Sequence, residues 1–327
     1  YSTNETVIEK KYFERKDVLP YNSLSSFLKK QFKGKVRKVS LDLGFSCPNR
    51  VEKTRSGGCY WCDPFGSGNG SDPKFWEKKL EEETKKLIEK GYRGSIAYFQ
   101  AFTNTYTDTE RLKELYIKAL EKEGVLGLAI GTRPDCLSED ILKLLSFLNE
   151  KYFLWVEVGM QTNHDKTLEI CNRGHNHSQT VKAIVELKKL NIKTVVHLIA
   201  GLPYENKEMI LDSFKECARL NPWGVKLHPL HIVKGSTFEK WYYDGKIKLL
   251  ELNDYANLAA DLLEIVSEQM VIHRLTGERQ EENLVAPKWC LRKDKVREEI
   301  LRTLKERNSF QGKMFKEKNG EKDNKDM

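Results

Sequence analysis

From residue 36 onward, short apolar runs alternate with longer stretches whose apolar residues recur every three or four positions. The short runs predict strands: "KVSLDLG" (38–44), "SIAYFQ" (95–100), "GLAIGT" (127–132), "FLWVEVGM" (153–160), "KTVVHLIAGL" (193–202) and "GVKLHPL" (224–230). The longer stretches predict helices over 74–92, 108–124, 138–151, 178–191 and 206–221, each with Lys and Glu on its opposite face. Gly91, Gly124 and Asn191 stand where three of these helices should stop. One helix per strand implies a parallel α/β sheet. Six β-α units are too few for a closed eight-stranded barrel, so a partial, TIM-like (β/α)6 barrel or a doubly wound sheet is expected. In either, chemistry gathers at the C-terminal ends of the strands. The polar signatures fall there: "FQAFTNTY", "GTRPDC", "GMQTNHD", "AGLP" and "HPLHIVKGS" each follow a strand.

Beyond residue 246, "LNDYANLAADLLEIVSEQM" predicts a helix and "VIHRLTG" one more strand, an extension able to close the barrel side. "DKVREEILRTLKERN" (294–308) predicts a terminal helix, and the mixed charges of "GKMFKEKNGEKDNKDM" predict a disordered tail. The expected division is an N-terminal extension (1–35), a core with its C-terminal extension (36–292), and a terminal helix with charged tail (293–327).

Charge changes this picture at one place. The 56 Lys and Arg against 48 Asp and Glu leave a net +8, which permits a polyanionic partner. "KKQFKGKVRK" (29–38) holds six of those cations in ten residues. It reads either as a phosphate-binding run or as a solvated loop before the first strand. No apolar run approaches the roughly 18 residues that span a bilayer, and "YSTNETVIEKKYFERKD" lacks the apolar core of a secretory signal. Seven irregularly spaced cysteines argue against a disulfide framework, so a reducing, cytoplasmic setting is expected.

Three of those cysteines crowd "LGFSCPNRVEKTRSGGCYWCDPFGSGNG" (43–70) as C-x11-C-x2-C: Cys47, Cys59 and Cys62. Catalytic zinc prefers histidine or carboxylate partners, whereas an all-thiolate trio suits iron–sulfur. Three thiolates leave one iron of a 4Fe–4S cubane open. The amino and carboxylate groups of S-adenosylmethionine (SAM) can fill that place, and reduction then yields a 5′-deoxyadenosyl radical. The glycines Gly66, Gly68 and Gly70 make no dinucleotide fingerprint and read as a flexible loop.

This loop resembles the cluster motif of radical SAM enzymes, although eleven residues separate the first two cysteines where three are commonest. With "AYFQAFTNTY", "GTRPDC", "VEVGMQTNHDKTLEICNRGH", "HLIAGLP", "GVKLHPLHIVKGS" and "LVAPKWC", the chain resembles the bacterial YhcC/YtqA group over roughly residues 20–292. That group is related to the radical SAM domain of the Elongator catalytic subunit. The resemblance to its MnmL-type branch implies a 4Fe–4S cluster, SAM, and tRNA as partner. The implied reaction converts 5-carboxymethylaminomethyluridine, or its 2-thio form, to 5-aminomethyluridine at the wobble position, ahead of a separate methyltransferase. A flavodoxin or ferredoxin would supply the electron. Hydrogen abstraction from the methylene beside nitrogen, loss of a further electron and hydrolysis of the imine would release the two-carbon unit.

The resemblance assigns Cys47, Cys59 and Cys62 to the cluster and Trp61 to the SAM adenine. It assigns Gln161 to the ribose and Arg173 to the SAM carboxylate, for which a planar guanidinium fork is suited. Gln100, Thr103 and Asn104 stand where relatives carry a Gly-Gly-Glu-like segment that binds the methionine amine, and this chain departs from that pattern. Glu157, a carboxylate in an apolar strand, needs a buried partner or a barrel-interior role, and with His197 it is counted among the candidate cofactor-binding residues. His197 stands where some relatives carry an acidic ribose ligand. His228, His231 and Lys234 are the catalytic or substrate-contact candidates. Arg133 and Asp135 are open between structure and binding. His175 and His177 read as a helix-capping turn, and Cys136 and Cys290 as structural thiols. Radical chemistry on a small molecule or another RNA position stays open, as does a zinc-stabilised RNA-binding module without catalysis.

Overall fold

The computed structural model describes residues 19–51, 57–63, 66, 72–277 and 279–315. Residues 1–18 of the expected extension, Gly68, Gly70 and residues 316–327 of the expected tail lie outside these. Strands β1 (Val36–Leu41), β2 (Gly94–Phe99), β3 (Val125–Thr132), β4 (Leu154–Gln161), β5 (Lys193–Ala200), β6 (Gly224–Pro229) and β8 (Val271–Arg274) form one sheet in that spatial order. Every neighbouring pair is parallel. A doubly wound sheet would reverse its strand order midway, so sequential order makes this a partial (β/α) barrel. The last strand extends the sheet past β6 without closing it: among the described residues no ladder joins β8 to β1. An isolated bridge between Ser23 and Ile272 stitches only the base of that seam.

The helices are α1 (Leu24–Gln31), α2 (Trp76–Glu89), α3 (Thr109–Leu120), α4 (Glu139–Lys151), α5 (Asp165–Ile170), α6 (His177–Lys189), α7 (Lys207–Leu220), α8 (Thr237–Tyr243), α9 (Leu252–Ile265) and α10 (Lys293–Glu306). Polar caps start them. Asp108, Ser138 and Asn206 each accept a hydrogen bond from the backbone three residues on, and Asn176 and Gln179 close a reciprocal capping box. Left-handed Gly91, Gly124 and Asn191 follow the ends of α2, α3 and α6, where the sequence places them.

The outer strand faces pack on helices: Phe99, Ile130 and Val156 meet Leu112, Tyr116 and Leu145. Period-two alternation turns Tyr98, Glu157 and Lys226 the other way, into the barrel. Helix α1 closes the base, with Leu24 and Leu28 packed among Ile96, Trp155 and Val271. The six-cation run is therefore not a loop. Lys29 and Lys30 lie in the last turn of α1, Lys33 and Lys35 in the connection, and Arg37 and Lys38 in β1. The start of the expected tail is also ordered. Gly312 N–H donates to Leu263 O at 2.9 Å and Met314 N–H to Glu264 O at 2.8 Å. Two elements have no strand signal in the sequence: β7 (Ile232–Val233) pairs antiparallel with β9 (Leu284–Ala286) beside the mouth.

Candidate functional site

The strand ends surround a cavity of about 1110 Å³, including its open mouth. Cys47, Cys59 and Cys62 line it together. A tight turn carries the last two, with Cys62 N–H donating to Cys59 O at 2.9 Å. Arg50 spans the loop, its Nη2 donating to Asp63 O at 2.6 Å. Gly58 must be a glycine here: its φ is +95°, and a Cβ would sit 2.8 Å from Arg50 Nε. Tyr60 N–H ties the loop to Cys171 O at 3.0 Å.

The segment after α5 makes the facing wall. Arg173 Nη1 donates to Cys59 Sγ at 3.4 Å and Nη2 to Gly159 O at 3.0 Å. The Cys62 thiol and the Arg173 and Arg133 guanidiniums hold the Cys59 thiol well below its ordinary range. Arg133 lines the cavity and is held in place: two of its guanidinium nitrogens grip Asp135 at 2.9 and 2.7 Å, and Nη1 donates to Arg173 O at 2.6 Å. A register break in β4 between Gly159 and Gln161, with Gln161 at φ +71°, brings Gln161 to the cavity wall. A Cβ at Gly159 would lie 2.6 Å from Arg173 and 2.7 Å from Gln161. Gln161 Oε1, Arg173 Nε and Ser46 Oγ are buried without a hydrogen-bond partner.

Beneath the thiols lies a charged floor centred on Glu157. Its Oε2 accepts from Tyr98 Oη at 2.6 Å, His197 Nε2 at 2.7 Å and Lys226 Nζ at 3.0 Å. Its Oε1 accepts from Trp155 Nε1 at 3.0 Å, with Lys38 Nζ at 3.5 Å. Burial raises the Glu157 carboxyl, but Lys226, Lys38 and His197 outweigh it and hold it well below the usual carboxylate range. Burial lowers the Lys226 ammonium to about 7 against the pull of Glu157.

Burial and Lys226 also push His197 down to about 4. Since an unfolded imidazole titrates near 6.5, the unfolded chain takes up a proton that the folded chain refuses. Folding stability is therefore expected to fall as pH drops from about 6.5 to about 4, by up to roughly 1.4 kcal/mol per pH unit. Urea unfolding at several pH values should show that slope reduced in His197→Gln. Parallel slopes would refute the assignment.

The other candidates divide. Trp61, Gln100, Thr103, His228 and His231 line the cavity. Asn104 does not: its amide nitrogen donates to Phe99, Ala101 and Gly131 carbonyls at 3.0 to 3.1 Å behind the wall. His231 lies on the wall with both ring nitrogens engaged. Arg279 Nε–H donates to Nε2 at 3.0 Å, so Nδ1 carries the proton donated to Pro229 O at 3.1 Å. That arrangement positions Arg279 and leaves His231 no lone pair for a substrate proton. Lys234 is exposed and outside the cavity lining, because β6 ends at Pro229 and β7 carries the chain past the mouth. His175 points both nitrogens at carbonyls, of Asn176 and Gly159, while His177 pairs with Glu216 at 2.9 Å. Neither Cys136 nor Cys290 lines the cavity, and burial pushes both thiols up to about 12. Among the described residues no three His, Cys, Asp or Glu side chains converge to hold a single metal ion.

Sequence reasoning missed Arg50, Tyr98, Lys226, Arg274 and Arg279, all on the cavity wall. Lys226 carried a usable signal. It stands between Val225 and Leu227 as Glu157 stands between Val156 and Val158, one buried charge calling for the other.

Comparisons with known proteins agree with this geometry. Residues 48–217 match the family model described as the radical SAM superfamily, and residues 222–306 its C-terminal domain. YtqA of Bacillus subtilis (strain 168) is 40% identical over 298 residues, covering 90% of this chain and 92% of its own. YhcC of Escherichia coli (strain K12) is 34% identical over 273 residues, covering 82% and 87%. A tRNA uridine(34) acetyltransferase of Dehalococcoides mccartyi (strain CBDB1) is 30% identical over 154 residues, 46% of this chain and 33% of its own. The solved structure of Methanocaldococcus infernus Elp3 superposes with a TM-score of 0.65 at 18% identity, over 84% of this chain and 64% of that one, which is a likeness of fold. Three thiols at the strand ends of an open parallel barrel, with these full-length relatives, leave one family: the chain belongs to the radical SAM superfamily.

Proposed function

We propose that this chain is a tRNA-modifying radical SAM enzyme that converts carboxymethylaminomethyl to aminomethyl on the wobble uridine. The observation that carries the reading is one cavity lined both by three thiols and by the cations Lys226, Arg274 and Arg279, the last paired with Asp63 beside Cys62 at 3.5 Å. A substrate bearing a carboxylate beside the bond to be broken suits those cations. The partial match to a protein named for acting on tRNA uridine 34 supports the same substrate class.

The donor set fits the cofactors of the family. Cys47, Cys59 and Cys62 would hold the cluster, and Arg173, already donating to Cys59 Sγ, would offset its negative charge. The orphaned Gln161 Oε1 and Arg173 Nε are buried polar atoms of the kind a bound ligand satisfies. With Trp61, Gln100 and Thr103 they would face SAM. When bound and reduced, the pair supplies hydrogen-atom abstraction. The protein's own part is positioning. Glu157 and Tyr98 hold the Lys226 ammonium in place, and Lys226 together with Arg279, itself positioned by His231 and Asp63, would orient the substrate carboxylate.

Anaerobic reconstitution with iron and sulfide, reduction, and addition of SAM and wobble-modified tRNA test this directly. Mass spectrometry of nucleosides and deoxyadenosine should show deoxyadenosine rising with tRNA, and the carboxymethyl group lost. Deoxyadenosine that forms equally without tRNA, with the nucleoside unchanged, would remove the tRNA assignment and leave the radical chemistry.

A further inference from the structure

The unpaired seam between β1 and β8 opens into a second cleft, larger than the cysteine cavity. It holds about 1840 Å³ including its mouth. Tyr98, Gln100, Lys226 and Arg274 line both cavities, so the cleft runs from the side of the barrel to the floor of the site. Its lips are cationic. Arg37 and Lys38 come from the free edge of β1, and Lys79, Lys86 and Lys90 from α2 and its end. Glu83 is the one carboxylate among the lining residues, and it pairs with Lys86 at 3.0 Å across an exposed surface, a contact of small energy. On the far lip, a smaller hollow shares Tyr21, Arg274 and Leu275 with the cleft and adds Lys293 and Arg297 against one carboxylate, Asp294.

We propose that this seam is a docking cleft for the phosphate backbone of single-stranded RNA, guiding one nucleotide through the barrel side toward Lys226 and the cysteine cavity. The inference rests on the RNA reading above and locates where the strand lies. Charge complementarity favours a polyanion. Depth favours a strand: the lining runs from surface lysines on α2 to Lys226 inside the barrel, a path suited to an extended chain rather than to a folded acidic protein. Recognition of RNA through unpaired, splayed-out nucleotides fits such a passage. The assignment also splits the six-cation run of residues 29–38. Only Arg37 and Lys38 reach the cleft, while Lys29, Lys30, Lys33 and Lys35 are exposed at the base, outside its lining.

That split supplies the control. Two charge-matched variants, Arg37→Gln/Lys79→Gln/Lys86→Gln/Lys90→Gln and Lys29→Gln/Lys30→Gln/Lys33→Gln/Lys35→Gln, would be compared with the unaltered protein. The probe is a fluorescein-labelled anticodon stem–loop, its binding read by anisotropy over a series of salt concentrations, with equal melting temperatures checked first. The cleft variant is expected to bind more than ~10-fold more weakly near 0.1 M salt, with a log–log salt slope smaller by about 3 for four lost phosphate contacts. The base variant should stay within about threefold. Equal losses in both would mean that net charge, not the cleft, binds RNA, and would overturn the proposal. Undiminished binding by the cleft variant would do the same while leaving the RNA reading intact. No binding by the unaltered protein would sink both. Slowed cluster reduction by a flavodoxin in the cleft variant, with RNA affinity unchanged, would assign the cleft to an acidic protein instead.

Discussion

Replacing Glu157 with leucine is expected to cost the fold about 3–5 kcal/mol, the range for removing one partner of a buried ion pair. The site explains the size. Glu157 is 1% exposed and accepts from Tyr98, Trp155, His197 and Lys226. Without it the Lys226 ammonium, 2% exposed, keeps only the Tyr98 hydroxyl at 2.9 Å. A lysine left so loses its proton or admits water, and either outcome weakens the barrel interior. The double variant Glu157→Leu/Lys226→Met should regain part of the loss, because the uncompensated charge is gone. Glu157→Gln should fall between, since it keeps acceptors for Tyr98 and Trp155 but not the charge. Urea unfolding of the four proteins reads this order. A loss under about 1 kcal/mol in Glu157→Leu, the scale of an exposed pair, would mean the network is solvated and not a structural core.

Why Glu157 was legible and its partner was not says where sequence reasoning stops. A carboxylate in "LWVEVG" breaks an apolar strand, so periodicity marks it for the barrel interior. Lys226 in "GVKLHP" carries the same mark, but the contact spans β4 to β6. Which inward residues meet depends on how the sheet curls, and no local pattern encodes that. Tyr98 in "SIAYFQ" reads as strand hydrophobe until its face is known. The three cysteines were readable because spacing and residue type carry their chemistry, Arg173 because the resemblance assigns it, and all four line one cavity. Asn104 and Lys234 were misplaced for opposite reasons. The carbonyls of Phe99, Ala101 and, across on β3, Gly131 claim the first, and an unpredicted two-residue strand carries the second past the mouth. The run of cations at 29–38 looked like one feature because composition has no direction. A helix end, a turn and a strand distribute it over two faces of the molecule.

Single alanine replacements of Cys47, Cys59 or Cys62 are expected to reduce bound iron and acid-labile sulfide to background in the reconstituted protein, and SAM cleavage with them. Each iron of a cubane takes its own thiolate, so losing one of three leaves a cluster held at two corners. Four other cysteines serve as controls, and they differ in what they test. Cys171 meets the loop through its carbonyl, which alanine keeps, and Cys217 is packed inside α7, so both variants should retain iron at a modest cost in stability. Cys290 is buried away from the cavity wall and should behave likewise. Cys136 is the sharper control, because its thiol stands near enough to Cys47 for a negative charge there to push it up. Full iron in Cys136→Ala, with SAM-dependent deoxyadenosine formation preserved, fits a cluster with three protein ligands and one iron open to SAM. Loss of iron in that variant would give the cluster a fourth thiolate and close the position on which SAM cleavage depends. Retention of iron in any of the first three would instead show that the trio is not the ligand set.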